Sequence, residues 1–168
     1  LLATLIVAAL LLVAVPQEKI IREALPELAK EAGRLGEKKM ERPNWDQYFI
    51  NIAREVATRA TCNRASVGAV IVKDNHILST GYNGAPSGEP HCFEIGCLMV
   101  NGHCERTIHA ETNAVVQASK FGVPIDGATL YFWDSMGREA DSCIKCFQVM
   151  KMAGIKRIVN KDGKEIIL

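Results

Sequence analysis

Thr107-Ile108-His109-Ala110-Glu111 and, further along, Cys143-Ile144-Lys145-Cys146 are the stretches on which the fold turns. Between them they offer an imidazole, a pair of thiols and a carboxylate. A tetrahedral zinc ion held by one His and two Cys keeps its fourth position open for water, which is the layout of a reactive site and not of a closed one. Glu111 then lies beside the metal without having to occupy it, and is free to move protons. Cys143 and Cys146 fall on one face of a helical turn, which Ser142 or Asp141 can cap. The dipole and exposed N–H groups of a helix N-terminus favour both thiolates. His109 likewise opens a run with helical character, Ile108 to Phe121. A His-x-Glu or a Cys-x-x-Cys alone is common, so the weight rests on the two together, in this order.

The elements around this pair alternate. Asn44 can cap a helix running to about Ala60, with Trp45, Tyr48, Phe49, Ile52, Ala53, Val56 and Ala60 as its core stripe. Val67 to Val72 and His76 to Thr80 read as strands joined by a turn at Lys73-Asp74-Asn75, with His76 a plain surface residue. A Gly/Pro-rich loop, Gly81 to Pro90, leads into a Cys/His-rich stretch, His91 to Cys104. Thr129 to Trp133 is a strand, Cys143 to Ala153 a helix, Lys156 to Asn160 a strand, and Lys164 to Leu168 a last edge strand. Helices alternating with strands predict an α/β sandwich.

Ahead of this domain, which spans residues 42–168, lie two segments of different character. Leu1 to Val15 is apolar and uncharged. It is short for a membrane span, which needs about 20 residues, and it lacks the basic flank of a signal peptide. The end of a membrane helix, a buried or interface helix, and an unrelated leader all fit residues 1–16. Residues 17–41 form a charged amphipathic arm, with six acids and six bases between Glu18 and Glu41. Pro26 is expected to break it into two short helices and Gly36 to end the second.

Hydrophobic residues make up 48% of the 168 and charged residues 23%, enough for one packed core. The net charge of +1 gives no electrostatic basis for nucleic-acid binding, and aromatics at 6% do not supply a stacking platform. Six cysteines beside a thiolate metal site indicate a reducing, cytoplasmic setting.

Further stretches have a recognisable form: Arg42-Pro43-Asn44-Trp45-Asp46, Val67-Gly68-Ala69-Val70-Ile71-Val72, Gly81-Tyr82-Asn83-Gly84, Cys104-Glu105-Arg106-Thr107-Ile108-His109-Ala110-Glu111, Gly127-Ala128-Thr129-Leu130-Tyr131 and Ala153-Gly154-Ile155. With the H-x-E and C-x-x-C pair of zinc deaminases, they make the chain from Arg42 to about Lys161 resemble the deoxycytidylate deaminases of the cytidine deaminase superfamily. The resemblance implies a three-layer α/β/α sandwich with a central mixed sheet of about five strands. It implies hydrolysis of dCMP to dUMP and ammonia, with zinc on His109, Cys143 and Cys146, zinc-bound hydroxide attacking C4, and Glu111 as proton shuttle. It implies that Asn83 meets the sugar and base. It also implies a homo-oligomer, often a hexamer, activated by dCTP with Mg²⁺ and inhibited by dTTP, the effector site involving Gly81 to Gly88. A second, structural zinc in some members matches Cys62 and Cys92 best. His103, Cys97 or Cys104 can complete it, since a closed site needs four ligands.

The chain departs from that pattern in Phe132 to Ser142, a longer segment beside the site, and in Ser142, which stands where the signature has Pro. The substrate's phosphate needs donors, and Arg64, Ser66, Lys73 and Arg106 flank the motif loops. Other readings share these residues: a deaminase of another nucleotide, nucleoside or base, or a catalytically silent nucleotide sensor, tethered to a membrane through residues 1–15.

Overall fold

The computed structural model describes residues 17–36, 41–138 and 143–168. It divides into two compact units, Leu1–Arg42 and Pro43–Leu168. In the first, α1 (Gln17–Gly36) is one continuous helix with Pro26 inside it, not the two short helices expected. Proline fixes φ near −65°, which is a helical value, and removes a single backbone donor. Arg22, whose carbonyl loses that donor, is exposed, so water can take its place. The apolar segment, residues 1–16, lies outside the described residues.

In the second unit, α2 (Trp45–Ala57) starts on Asn44, whose Oδ1 accepts from the Gln47 N–H at 2.8 Å. It buries Phe49, Ile50, Ala53 and Ala57. Trp45 and Tyr48, expected in the core stripe, are exposed and pack around the Phe49 ring instead. The buried arc is centred on Phe49 and Ala53, one turn apart, so it brings Ile50 and Ala57 inside and leaves the first turn at the rim.

The remaining elements are β1 (Val67–Lys73), β2 (His76–Tyr82), α3 (Cys92–Ile95), β3 (Met99–Val100), β4 (His103–Cys104), α4 (Ala110–Lys120), β5 (Thr129–Asp134), α5 (Ile144–Met152), β6 (Arg157–Asn160) and β7 (Glu165–Ile167). Five strands form a mixed sheet in the order β2-β1-β5-β6-β7. β1 runs antiparallel to β2 and β5, β5 and β6 are parallel, and β7 closes antiparallel to β6. β1 is buried on both faces. Val67, Ala69 and Ile71 join Ala110, Ala114, Leu130 and Met150 on the α4/α5 side, while Val70 and Val72 join Phe49, Ala53 and Tyr131 on the α2 side. The result is the three-layer α/β/α sandwich, and its sheet carries helices on both faces because β1 has no polar face to give to water.

Two glycines set the layer spacing. A Cβ on Gly68 would strike the Ala53 carbonyl oxygen and the Ala57 nitrogen of α2. One on Gly81 would strike the Ala110 carbonyl oxygen and the Ala114 nitrogen of α4. Gly81 therefore lets the first turn of α4 lie directly on β2. The Val67↔Asp134 and Gly68↔Tyr82 pairs bring the start of β1 and the ends of β2 and β5 to one edge of the sheet.

Candidate metal centre and cleft

His109 is the N-cap of α4 and Cys143 the N-cap of α5, with Cys146 in the first turn of that helix. The expected caps, Ser142 and Asp141, lie outside the described residues. Cys143 fills the role, its Sγ accepting from the Cys146 N–H at 3.5 Å. Ligand atoms of His109, Cys143 and Cys146 all lie within 4.8 Å of one another. His109 Nδ1 is 3.2 Å from Cys146 Sγ, on which the Thr112 hydroxyl donates at 3.5 Å. Burial, followed by the charges of Arg138 and His103, holds the His109 pKa below its ordinary value and so keeps the ring neutral, the form that binds metal. Burial raises the Cys146 thiol, reinforced by the Glu111 charge, and a divalent cation reverses that preference outright. A neutral imidazole with two sulfurs suits zinc, and three side chains leave a tetrahedral ion one open position.

Glu111 follows in the first turn of α4 and is 4% exposed. Burial raises its carboxyl to about 7 and the Asp134 charge adds to this, against its own backbone N–H and the Arg138 charge. A carboxyl balanced near neutrality can both accept and return a proton.

A cleft of about 250 Å³ opens over His109, Glu111 and Cys143. Asn83 and Arg64 line it. The Asn83 Oδ1 accepts from the Val67 N–H at 2.8 Å and its Nδ2 donates to the Ala65 carbonyl at 2.9 Å. The amide thus stitches the strand ends together, with one N–H and one lone pair to spare. Arg64 rests Nη1 against Met99 Sδ at 3.7 Å. The other expected phosphate donors, Ser66, Lys73 and Arg106, do not line the cleft. Arg106 Nε donates to the Gly96 carbonyl at 3.2 Å, and Lys73, at the far end of β1, donates to the Asp126 carbonyl at 2.7 Å. The Ser66 N–H donates to Ser135 Oγ at 3.0 Å.

Asp134 and Arg138 line the same cleft and were not singled out by sequence. The available signal was a carboxylate ending an apolar strand, Thr129 to Asp134, inside the segment already marked as long.

A second thiol group lies nearby. Cys62, Cys92 and Cys97 offer sulfurs within 4.8 Å of one another, and Cys104 Sγ is 3.6 Å from Cys92 Sγ. His103 is not in that group; it lines the cleft. Burial pushes the Cys92 thiol up to about 12. For Cys104 burial is outweighed by the Arg106 backbone and the Cys92 side chain, which bring it down to about 7. Sulfurs gathered this closely are suited to a cation that stabilises the thiolates.

Residues 43–161 match the family described as the cytidine and deoxycytidylate deaminase zinc-binding region. Among curated proteins, ComE operon protein 2 of Bacillus subtilis (strain 168) is 49% identical over 119 residues, covering 71% of this chain and 60% of that protein. A deoxycytidylate deaminase of Mycobacterium phage D29 is 36% identical over 131 residues, covering 71% of this chain and 96% of that protein. Among solved structures, the dCMP deaminase from the cyanophage S-TIM5 in complex with dCMP and dUMP is 28% identical, with a TM-score of 0.58 over 71% of this chain and 82% of that one.

Proposed function

The chain belongs to the family of the cytidine and deoxycytidylate deaminase zinc-binding region, and from that membership we propose that it hydrolyses dCMP to dUMP and ammonia. The observation that carries the reading is the convergence of His109, Cys143 and Cys146 beside the buried Glu111 at the cleft. Those three side chains hold zinc. When bound, the ion lowers the pKa of a coordinated water toward about 7. Glu111 accepts one proton from the attacking water and passes it to ring nitrogen N3, then accepts the second from the new C4 hydroxyl and delivers it to the departing 4-amino group, two protons in and two out. Burial in the first turn of α4 shields that carboxyl from bulk water and keeps it aimed into the cleft. Asn83 uses its spare N–H and lone pair on the sugar and base.

Ammonia release by the zinc-loaded protein, offered dCMP, deoxycytidine and dCTP in parallel, tests this. Preference for dCMP is the expected result. No release from any of them with zinc bound refutes it and favours the silent-sensor reading.

The thiols of Cys62, Cys92, Cys97 and Cys104 are proposed to hold a second, structural zinc, with Cys97 and Cys104, and not His103, completing the set. Four sulfurs make a closed site. Family resemblance supports an oligomer, hexameric in form, with dCTP–Mg²⁺ activating and dTTP inhibiting through Gly81 to Gly88. Paired bonds tie that loop to the residue before His109: the Gly84 N–H to the Ile108 carbonyl at 3.2 Å and the Ile108 N–H to the Gly84 carbonyl at 2.9 Å. They offer a mechanical route from effector to metal. A cytoplasmic location is proposed from the six free thiols. Among the described residues no helix is long and apolar enough to cross a membrane, and the tethering idea for residues 1–15 falls outside them.

A further inference from the structure

We propose that Arg138 is the residue by which the cleft recognises the phosphate of its substrate, an inference that rests on the nucleotide reading above. A monophosphate ester brings about −1.5 to −2 charges at neutral pH. It must enter a cleft whose lining already includes the carboxyl groups of Glu111 and Asp134. Lys73 and Arg106 do not line the cleft, and among the described residues two guanidinium groups do, Arg64 and Arg138.

Arg138 is the better prepared of the two. Its Nε donates to Asp134 Oδ2 at 2.8 Å. The Asp134 side chain is 2% exposed, and its Oδ1 accepts from the Met136 N–H at 2.6 Å. A buried carboxylate pinned by the backbone therefore holds the inner nitrogen of the guanidinium. Among the described residues the two terminal nitrogens donate to no partner, and the Arg138 side chain is 51% exposed. Held this way, they present a fork of the kind that matches two phosphate oxygens. The side chain is already ordered before substrate arrives, so little rotamer entropy remains to be lost on binding. Arg64 instead leans on a thioether, a weak acceptor that does not fix its direction.

A purely structural pair explains this less well. A half-exposed ion pair adds little stability, and burying the Asp134 carboxylate has its own cost. The arrangement makes sense if the guanidinium has a second anion to meet. Arg138 lines the same cleft as Glu111 and His109, so a group it holds lies in the cavity where the chemistry takes place.

The test is steady-state kinetics of zinc-loaded wild type, Arg138→Gln, Arg138→Lys and Arg64→Gln on dCMP and on deoxycytidine, which lacks the phosphate. Arg138→Gln is expected to cut the preference for dCMP over deoxycytidine by about tenfold to a hundredfold, chiefly through KM for dCMP. Arg138→Lys, which keeps the charge and loses the fork, falls between; Arg64→Gln changes the preference less than Arg138→Gln does. If wild type prefers dCMP and Arg138→Gln keeps that preference, only this inference falls. An equal loss on both substrates overturns it too, because the residue then serves the chemistry or the packing. If wild type itself shows no preference for dCMP, the nucleotide reading fails and takes the inference with it. Should Arg138→Gln not fold, Arg138→Lys, which can retain the pair with Asp134, decides in the same way.

Discussion

Gly81→Ala tests how the fold holds the site. A Cβ at Gly81 meets the Ala110 carbonyl oxygen and the Ala114 nitrogen and Cα, all backbone atoms of α4 that cannot rotate aside. Gly81 is not among the positive-φ glycines, so alanine is allowed there by conformation. Through the unfolded chain alone, the substitution stabilises by about 0.4–1 kcal/mol. Overpacking against a fixed backbone costs about 1–3 kcal/mol. The effects have opposite sign, and contact with both ends of one helical turn places the cost at the upper end of its range. The net expectation is about 2 kcal/mol of destabilisation, roughly 6–10 °C in Tm for a unit of this size. The displaced turn carries Glu111 and follows His109, and a shift of about 1 Å in such groups costs on the order of a hundredfold in rate. Calorimetry and dCMP turnover of the zinc-loaded variant read the two consequences separately. Gly122→Ala is the control: its φ is 63°, but nothing lies within 4 Å of its Cβ. It loses roughly 1–2 kcal/mol to backbone strain and leaves the site in place. A Gly81→Ala protein as stable as wild type or more so, with full turnover, refutes the account of α4 resting on β2.

Glu111→Gln should lower kcat by about 10²–10⁴ while zinc content, read by atomic absorption, stays at the wild-type value; surviving turnover removes Glu111 as the proton carrier. Metal analysis should find two zinc ions per wild-type chain and one in Cys97→Ser, with the loss accompanied by a lower Tm; one ion in wild type denies the structural site. The Arg157 guanidinium donates to both Asp46 oxygens, at 2.9 and 2.7 Å, and holds that carboxyl below its usual range. A depressed carboxyl stabilises above its unfolded pKa and loses that contribution as pH falls through the folded one. Urea midpoints of wild type and Asp46→Asn should therefore differ at pH 7 and converge below about pH 4. The difference is modest, because the Asp46 side chain is 38% exposed and screened by water; a gap that widens in acid contradicts the pairing.

The convergence of His109, Cys143 and Cys146 and the sandwich were legible because both depend on residue type and local period. Imidazole and thiol identity decides which metal binds, and the alternation of 3.6-residue and 2-residue patterns decides which segments are helix and strand. The outcome at Pro26 was not legible, since a proline's penalty in a helix depends on whether water can reach the freed carbonyl. Nor was the rim position of Trp45 and Tyr48, because an apolar stripe does not say where along its arc the neighbouring strand sits. His103 and Cys97 are equally good ligands on paper. The hairpin of β3 and β4 leaves the first on the cleft and out of the thiol group, whose members include the second.

The sequence by itself determined that one His, two Cys and a nearby Glu had to meet, since no other use of those residues in that order satisfies their chemistry so fully. It did not determine which cations would face the substrate. Arg106 and Lys73 flank the motifs in sequence yet lie off the cleft, while Arg138 lines it, held by Asp134, which is buried at the end of β5 and paired across from Val67. Ligand type is a property of a residue. The direction of a long charged side chain is a property of its partners, and only the folded sheet brings those partners to the same edge.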